Sequence, residues 1–405
     1  MKERALLLYS GGLDTSVMIK WLQDQLGYNV STLTLDVGQE KSNLEEIARK
    51  AKKLGAVDTI AKDVTDTFAN DYIAKGILSD ALYEGKYPLS TSLARPLMAK
   101  EAVEMAQFLG CDTIVHGSTG KGNDQVRFEV SIRALDDSLK VIAPVRDMNM
   151  NRDEEIEYAK KNGIEVHYGG KYSVDENLWG RSVEGSDIEN ISAGVPNDAF
   201  HWVVPPEKAR DIPEKVTIGF KQGLPVSLNN KFMDLKSIVT ALNVLSGING
   251  VGSVELIENR VVGIKSHEFY ECPAALAIIS AHKYLASAVL NKKELELKSH
   301  MDKAFSEFVY TGLWFDPVME HIYNFEKSIN QYITGDVSLK LYKGNIIPMG
   351  IESPNALYDM NMSGYGRGQT FDQSKSPGFI HIFGNETVLS RKARTLNKHQ
   401  AEIKV

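Results

Sequence analysis

Short apolar runs alternate with amphipathic stretches through the first 165 or so residues. Leu6 to Tyr9 is apolar and too short for a helix, which predicts a buried strand. Val17, Met18, Trp21, Leu22 and Leu26 follow at helical spacing. Val30 to Leu35 reads as a second strand, and Leu44, Ile47, Ala48, Ala51 and Leu54 mark one face of a second helix. Ser42 and Glu45 have capping-box spacing before that helix, and Gly55 sits past its end. Val57 to Ala61 predicts a third strand, and Phe68, Tyr72, Ile73 and Ile77 a helix. A long helix carries Leu93, Leu97, Met98, Met105, Ala106 and Leu109 and is closed by Gly110. Strands are expected at Thr113 to His116, Val141 to Ala143 and Ile164 to His167, with a helix over Arg152 to Asn162. Alternation of this kind means right-handed β-α-β units and a parallel sheet, an α/β class.

The pattern changes near Tyr168-Gly169-Gly170. Residues 170–212 are irregular and rich in Gly, Ser, Asn and Asp, a stretch expected to be functional or a linker. Beyond Lys215 come two strands about a glycine turn, then a helix with Leu235, Ile238, Val239, Leu242 and Leu245. Val254 to Ile257 and Val261 to Ile264, flanking Glu258-Asn259-Arg260, read as a hairpin. Pro273 suits the first turn of a helix through Leu290. Two more helices carry Phe305, Phe308 and Val309, then Val318, Ile322, Phe325 and Ile329. A last hairpin pairs Val337 to Leu341 with Ile346 and Ile347. This half is α+β. The final 22 residues are polar and are expected to be a tail or an arm on a partner subunit.

In parallel sheets ligands gather at the carboxyl ends of strands, so the strand-tip loops are the places to look for chemistry. The first is Ser10-Gly11-Gly12-Leu13-Asp14-Thr15-Ser16. Adjacent glycines permit a sharp turn and let an anion approach main-chain N–H groups, and a helix start offers its positive dipole end. Phosphate is the ligand class this suggests. The spacing is neither G-x-G-x-x-G nor a Walker A loop. It resembles the pyrophosphate loop of enzymes that split ATP into AMP and pyrophosphate. The second loop, His116-Gly117-Ser118-Thr119-Gly120-Lys121-Gly122-Asn123-Asp124, packs three glycines, two hydroxyls, a lysine and a carboxylate into nine residues. Arg127 and Glu129 follow, facing either this loop or solvent. The third is Tyr87 to Pro96, where Ser90 or Thr91 can cap a helix. Arg95 in the first turn of that helix opposes the dipole, a conflict an anionic ligand would remove.

Composition narrows the field. At 405 residues two domains are expected, and 43% hydrophobic with 24% charged residues describes an ordinary globular chain. No apolar run is long enough to span a membrane, and the opening Met-Lys-Glu-Arg has no signal-peptide pattern. Cys111 and Cys272 cannot make a disulfide framework or a zinc site, which fits a reducing cytoplasm. The net charge of −7 argues against a nucleic-acid partner and so against a tRNA-modifying enzyme with this loop. His116 reads as a hydrogen-bonded strand-end residue and not a metal ligand, and no metal site is expected.

Taken together, S-G-G-L-D-T-S at 10–16, Y-P-L-S-T-S-L-A-R-P at 87–96 and H-G-S-T-G-K-G-N-D-Q-V-R-F-E at 116–129 resemble the argininosuccinate synthase family. Y-S-V-D-E-N-L-W-G-R-S at 172–182, E-N-R-V-V-G-I-K-S at 258–266, Y-E-C-P-A-A at 270–275 and Y-D-M-N-M at 358–362 extend the likeness in order. The resemblance implies ATP-dependent joining of citrulline and aspartate through a citrulline adenylate, releasing AMP and pyrophosphate, with Mg²⁺. It implies ATP contacts at Leu8, Tyr9, Ser10, Gly11, Gly12, Leu13, Asp14, Thr15 and Ser16, at Leu35, and at Gly117. Citrulline contacts fall on Tyr87, Ser92, Asn123, Arg127, Ser173, Ser182, Glu258 and Tyr270, and aspartate contacts on Thr119, Asn123 and Asp124. Ser10, Asp14, Thr15, Arg95 and Lys121 are the expected catalytic group. The implied layout is a doubly wound nucleotide-binding domain over 1–168, a synthetase and multimerisation domain over 169–363, and a C-terminal oligomerisation arm over 364–405 in a homotetramer. Ser118 stands where many members carry cysteine or alanine.

Overall fold

Strands β1 (Arg4–Leu8), β2 (Asn29–Asp36), β3 (Thr59–Asp63), β4 (Thr113–Val115) and β5 (Lys140–Ile142) form a parallel sheet in the order β3-β2-β1-β4-β5. The computed structural model describes residues 3–39, 43–148, 152–165, 170–366 and 370–402. β1 lies at the centre, with Leu6 opposite Ser31 of β2 on one side and Ile114 of β4 on the other. A parallel strand is buried on both faces, so it reads as an unbroken apolar run. Leu6 and Leu8 enter one core with Leu93 and Leu97 of the helix Ser90–Leu109. Ala5 and Leu7 enter another with Met18, Ile19 and Leu22 of the helix Leu13–Gln25. Strand order reverses between the pairs β1–β2 and β1–β4, and a crevice opens at such a point beyond the strand ends.

Beyond this sheet lie β6 (Ser173–Asn177), β7 (Gly180–Glu184), β8 (Glu214–Lys221), β9 (Leu224–Leu228), β10 (Lys231–Phe232), β11 (Ser253–Asn259), β12 (Lys265–Glu271), β13 (Gly335–Tyr342) and β14 (Asn345–Glu352). They make two sheets, β10-β9-β8-β13-β14 and β11-β12-β7-β6, with antiparallel pairings throughout. Helices Pro273–Val289, Lys292–Tyr310 and Pro317–Ile329 follow β12. By its internal contacts the chain divides into two units, Met1–Ala356 and Leu357–Val405. The second carries the short helix Met360–Ser363, capped by Asp359, and the long helix Ser376–Glu402 with Phe379, Ile380, Ile382 and Phe383 exposed. Among the described residues no helix is long and apolar enough to cross a membrane.

Several elements differ from the reading of the sequence. β3 begins two residues later than the apolar run at Val57, because it is an edge strand whose Ala61, Lys62 and Asp63 face solvent. The helix Leu44–Lys53 is capped by Asn43, whose side chain accepts from the Glu46 N–H, while Ser42 lies outside the described residues. Ile164 and Glu165 are not in a strand, and Val166 and His167 lie outside the described residues. The irregular stretch at 170–212 contains the β6–β7 hairpin. The hairpin expected around Glu258 exists, but its turn is residues 260–264, closed by the Arg260 N–H on the Ile264 carbonyl at 2.9 Å. Val261 to Ile264 is therefore turn, and the returning strand is the more polar Lys265–Glu271.

Candidate active site

The loop after β1 turns at Gly11, whose φ of +79° is a conformation L side chains rarely adopt. Gly12 is the extended N-cap of the helix Leu13–Gln25 and has no side chain to cap it. The first-turn N–H groups and the positive end of the dipole are thereby left for an anion. Ser10 Oγ and Thr15 Oγ1 lie 3.2 Å apart across the loop. Ser16 is turned inward, its hydroxyl donating to the Gly12 carbonyl at 2.6 Å and meeting the Tyr9 hydroxyl at 3.1 Å. Lys50, from the helix Leu44–Lys53, donates to the Gly11 carbonyl at 2.7 Å, and burial lowers the pKa of its amine.

This loop forms one wall of a cleft of about 750 Å³. Leu8, Tyr9, Ser10, Gly11, Gly12, Leu13, Asp14 and Thr15 line it, with Leu35 at the end of β2 and Gly117 beyond β4. A Cβ on Gly117 would stand 2.9 Å from Met18 Cε, so glycine lets the second loop lie against the first helix.

The opposite wall is one face of the sheet β11-β12-β7-β6. Side chains alternate across a strand, so partners in register share a face. Ser173 opposes Glu184, Asp175 opposes Ser182, Ser182 opposes Tyr270, and Glu258 opposes Ser266. Ser173, Asp175, Ser182, Glu184, Glu258, Glu268 and Tyr270 all line the cleft from this face. That use of the face accounts for Glu268 and Tyr270 standing where a core-facing strand would carry aliphatic residues.

Charged groups join the walls. Arg95 sits in the second turn of the helix Ser90–Leu109. It donates to Asp124 Oδ2 from Nε at 2.9 Å and Nη2 at 2.7 Å, and Nη2 also meets Asp175. Two carboxylates of the chain itself thus remove the dipole conflict that the sequence reading assigned to a ligand. Arg127 Nη1 donates to Asp124 Oδ1 at 3.0 Å. Burial works to raise the Asp124 carboxyl, but the guanidinium groups of Arg95 and Arg127 outweigh it and hold the pKa at about 2. Asp124 is therefore an anion at any physiological pH.

A second network centres on Glu258. Tyr270 donates to its Oε2 at 2.5 Å and Tyr310 to its Oε1. Burial, reinforced by Glu258, raises both phenols, so both remain protonated donors. Asn123 Nδ2 donates to the Tyr310 hydroxyl at 2.8 Å. Tyr87 stacks on Tyr270 with ring centroids 3.9 Å apart, and its hydroxyl accepts from the Thr91 N–H at 3.0 Å.

The expected residues thus converge, with exceptions. Tyr87, Arg95, Thr119, Asn123, Asp124, Arg127, Ser173, Ser182, Glu258 and Tyr270 line the cleft, as do the ATP-loop residues other than Ser16. Ser92 is buried with no hydrogen-bond partner for its hydroxyl among the described residues. Lys121 is exposed, and its carbonyl accepts from Arg260 Nη1 at 3.1 Å. Arg127 faces the cleft, whereas Glu129 pairs with Arg146 and lies 3.5 Å from His116 Nε2. Lys50, Asp175, Arg260, Glu268 and Tyr310 were not identified as site residues from sequence. The period-two spacing of Ser173 and Asp175 could have found the second; Tyr310 ends a helix of ordinary core pattern and gave no signal.

Comparison with known proteins agrees with this architecture. A family model described as arginosuccinate synthase N-terminal HUP domain matches residues 4–165, and one described as arginosuccinate synthase C-terminal domain matches residues 172–390. The argininosuccinate synthase of Picrophilus torridus is 58% identical over 392 residues, 97% of this chain and 98% of that protein. That of Thermoplasma volcanium is 54% identical over 401 residues, 99% of this chain and 100% of that protein. That of Pyrococcus furiosus is 48% identical over 387 residues, 96% and 94% of the two chains. With both halves matched by family models and relatives this similar along nearly the whole length, the chain belongs to the argininosuccinate synthase family.

Proposed function

We propose that this chain joins citrulline and aspartate at the expense of ATP, giving argininosuccinate, AMP and pyrophosphate. One observation carries the reading: an anion-binding helix start and two charged networks, one about Asp124 and one about Glu258, share a cleft. Holding a nucleotide alone would need only the first.

A ureido carbon is a poor electrophile and its oxygen a poor leaving group. In the first step that oxygen attacks the α-phosphorus of ATP, a P–O bond forms, and the bond to the departing pyrophosphate breaks. In the second the aspartate amine attacks the ureido carbon, the C–N bond forms, and AMP leaves with the ureido oxygen as the amine loses a proton. Both steps depend on positioning and charge stabilisation more than on a protein nucleophile. Main-chain N–H groups of the loop, with Ser10 and Thr15, hold the phosphates, while the Leu35 backbone and Gly117 receive the rest of the nucleotide. Glu258 takes the citrulline ammonium and Arg127 its carboxylate, with Tyr87, Asn123, Ser173, Ser182 and Tyr270 around them. Asp124 takes the aspartate ammonium, supported by Arg95, Thr119 and Asn123. Ser16 supports the loop from behind. Ser92, whose buried hydroxyl has no partner among the described residues, is proposed as a further citrulline contact, and Lys121 as a member of the catalytic group.

Mg²⁺ is proposed to enter as part of the nucleotide substrate. Among the described residues no group of three or more His, Cys, Asp and Glu could hold a metal ion. Mg²⁺ commonly binds through substrate phosphates with one or two carboxylates and retained waters, which suits a loop carrying the single carboxylate Asp14.

The proposed division into 1–168, 169–363 and 364–405 follows the change from parallel to antiparallel sheet and the terminal helix. A homotetramer is proposed on the exposed apolar side chains of that helix, Phe379, Ile382, Phe383 and Leu389 among them. A cytoplasmic setting is proposed on the two free, buried cysteines.

The deciding experiment measures pyrophosphate release from ATP and Mg²⁺ with citrulline and aspartate added singly and together. The expected result is release that depends on citrulline, with stoichiometric argininosuccinate only when aspartate is present. Release indifferent to both amino acids would refute the reading.

A further inference from the structure

The geometry points to Tyr310 as a positioning residue that sets the citrulline half of the cleft from outside it, an inference that rests on the reading of Glu258 and Arg127 as citrulline contacts. Tyr310 is the last residue of the helix Lys292–Tyr310 and is almost fully buried. It is not among the residues lining the cleft, yet it touches three that are. Its hydroxyl donates to Glu258 Oε1 and accepts from Asn123 Nδ2 at 2.8 Å. Its main-chain carbonyl accepts from Arg127 Nε at 3.0 Å. Its ring lies beneath the Arg127 guanidinium, 4.9 Å from centroid to Cζ, and stacks on Tyr83 with centroids 3.5 Å apart.

The consequence is directional. Glu258 has two oxygens, and Tyr270 and Tyr310 each donate to one of them. That pair of donors fixes the plane of the carboxylate and hence the direction in which its remaining lone pairs meet a cation. Asn123 is fixed in the same way, since its Nδ2 is committed to Tyr310 and its Oδ1 accepts from the Val261 N–H at 2.9 Å. Arg127 Nε is committed to the Tyr310 carbonyl, so only the outer edge of the guanidinium faces Asp124 and the cleft. One residue from the second half of the chain therefore orients an anion and an amide through its hydroxyl and a cation through its carbonyl and ring. Bound ligands need such groups held to within a fraction of an ångström.

The test is Tyr310→Phe, which keeps the ring on Tyr83 and under Arg127 and the carbonyl to Nε, and removes only the hydroxyl. Tyr83→Phe is the control: it removes a neighbouring hydroxyl bonded to the Asn259 carbonyl while keeping the same stack. For Tyr310→Phe the citrulline KM is expected to rise on the order of 10- to 100-fold, the range for losing a hydrogen bond to a charged group, with the ATP KM within about two-fold. Tyr83→Phe is expected to leave both within about three-fold. Should Tyr310→Phe not accumulate, Tyr310→Met, which fills the space with a flexible apolar side chain and has no donor, is read in the same way. An unchanged citrulline KM, or equal rises for citrulline and ATP, overturns the positioning role while leaving the synthase reading intact. An unsubstituted enzyme with no citrulline-dependent release fails that reading instead.

Discussion

Arg95 places Nε and Nη2 on the same oxygen of Asp124, at 2.9 and 2.7 Å, while its Nη2 also holds Asp175. The arginine is buried to 11% side-chain exposure, and the two carboxylates come from the helix Asp124–Leu135 and from β6. Removing the cation leaves two carboxylates facing each other with much of their hydration gone. Arg95→Gln is expected to cost roughly 1–2 kcal/mol of stability, below the scale for a fully buried pair because Asp124 and Asp175 keep 30% and 38% exposure. The pH dependence has a definite sign. Asp124 is depressed to about 2, so its contribution is complete above its unfolded value near 4 and is lost as pH falls through 2. Melting curves should therefore separate unsubstituted and Arg95→Gln proteins most at pH 6, and the gap should narrow steadily below pH 4. A gap independent of pH would contradict this assignment.

Lys50 reaches from its helix to the Gly11 carbonyl and brings a positive charge to the rim of the phosphate-type loop. Lys50→Met keeps most of the apolar stem and removes the charge. The ATP KM is expected to rise roughly 10-fold, as for loss of one charge-assisted hydrogen bond, and the citrulline KM to stay within about two-fold. Initial rates at varied ATP and fixed saturating amino acids measure it. Equal changes in both constants would argue against a local role in the loop.

Much of this was legible in the sequence, for reasons that differ by region. Leu6 to Leu8 could be read as a central strand because a strand buried on both faces must be continuously apolar. Gly11, Gly12 and Asp14 could be read as an anion-binding turn because Gly11 takes a positive φ and Gly12 leaves the helix start without a capping side chain. The β11–β12 hairpin was misread by several residues because alternation failed as a guide. Glu268 and Tyr270 line the cleft, while Val261, Val262 and Ile264 are partly exposed turn residues. Asp175 and Tyr310 were missed because their partners, Arg95 and Glu258, lie 80 and 52 residues away. The role of Tyr310 arises from tertiary packing and leaves no local spacing to detect, whereas Asp175 shares a period-two spacing with Ser173 that marks the face but not the partner.

Glu268 offers a pH dependence of opposite sign to Asp124. Burial, with Glu184 beside it, pushes its carboxyl up to about 7, against the opposing pull of Arg260 and a hydrogen bond from Ser266. A group raised in the folded state contributes stability below its unfolded value near 4 that is lost as pH rises through 7. Glu268→Gln keeps the neutral shape and cannot ionise. Relative to the unsubstituted protein its melting midpoint should improve progressively between pH 5 and pH 8, by the equivalent of roughly 1–3 kcal/mol. Scanning calorimetry across that range measures the difference, and a variant less stable at pH 8 than at pH 5, relative to the unsubstituted protein, would refute the assignment.

Lys298 anchors a buried ionic cluster that takes no part in the cleft. Its Nζ donates to the Leu78 carbonyl at 2.8 Å and to Asp302 at 2.6 Å, with Asp80 at 3.2 Å and Glu326 at 3.3 Å. His282 bridges Asp80 at 2.7 Å and Asn330 at 2.8 Å, while Asn330 Nδ2 donates to the Leu78 and Glu326 carbonyls. Three helices and the end of the helix Ala74–Leu78 are tied together at this point, with three carboxylates gathered about one lysine. Burial raises the carboxyls of Asp302 and Glu326, against the opposing attraction of Lys298. Lys298→Met preserves the apolar stem and strands the carboxylates, and breaking such a pair costs about 3–5 kcal/mol. The loss should be smaller at pH 5, where the raised carboxyls hold their protons and carry no charge, and larger at pH 8, where they must ionise without a partner. Thermal unfolding of both proteins at the two pH values decides it. An equal loss at pH 5 and pH 8 would mean that Lys298 acts through its packing and its bond to Leu78, and not through charge.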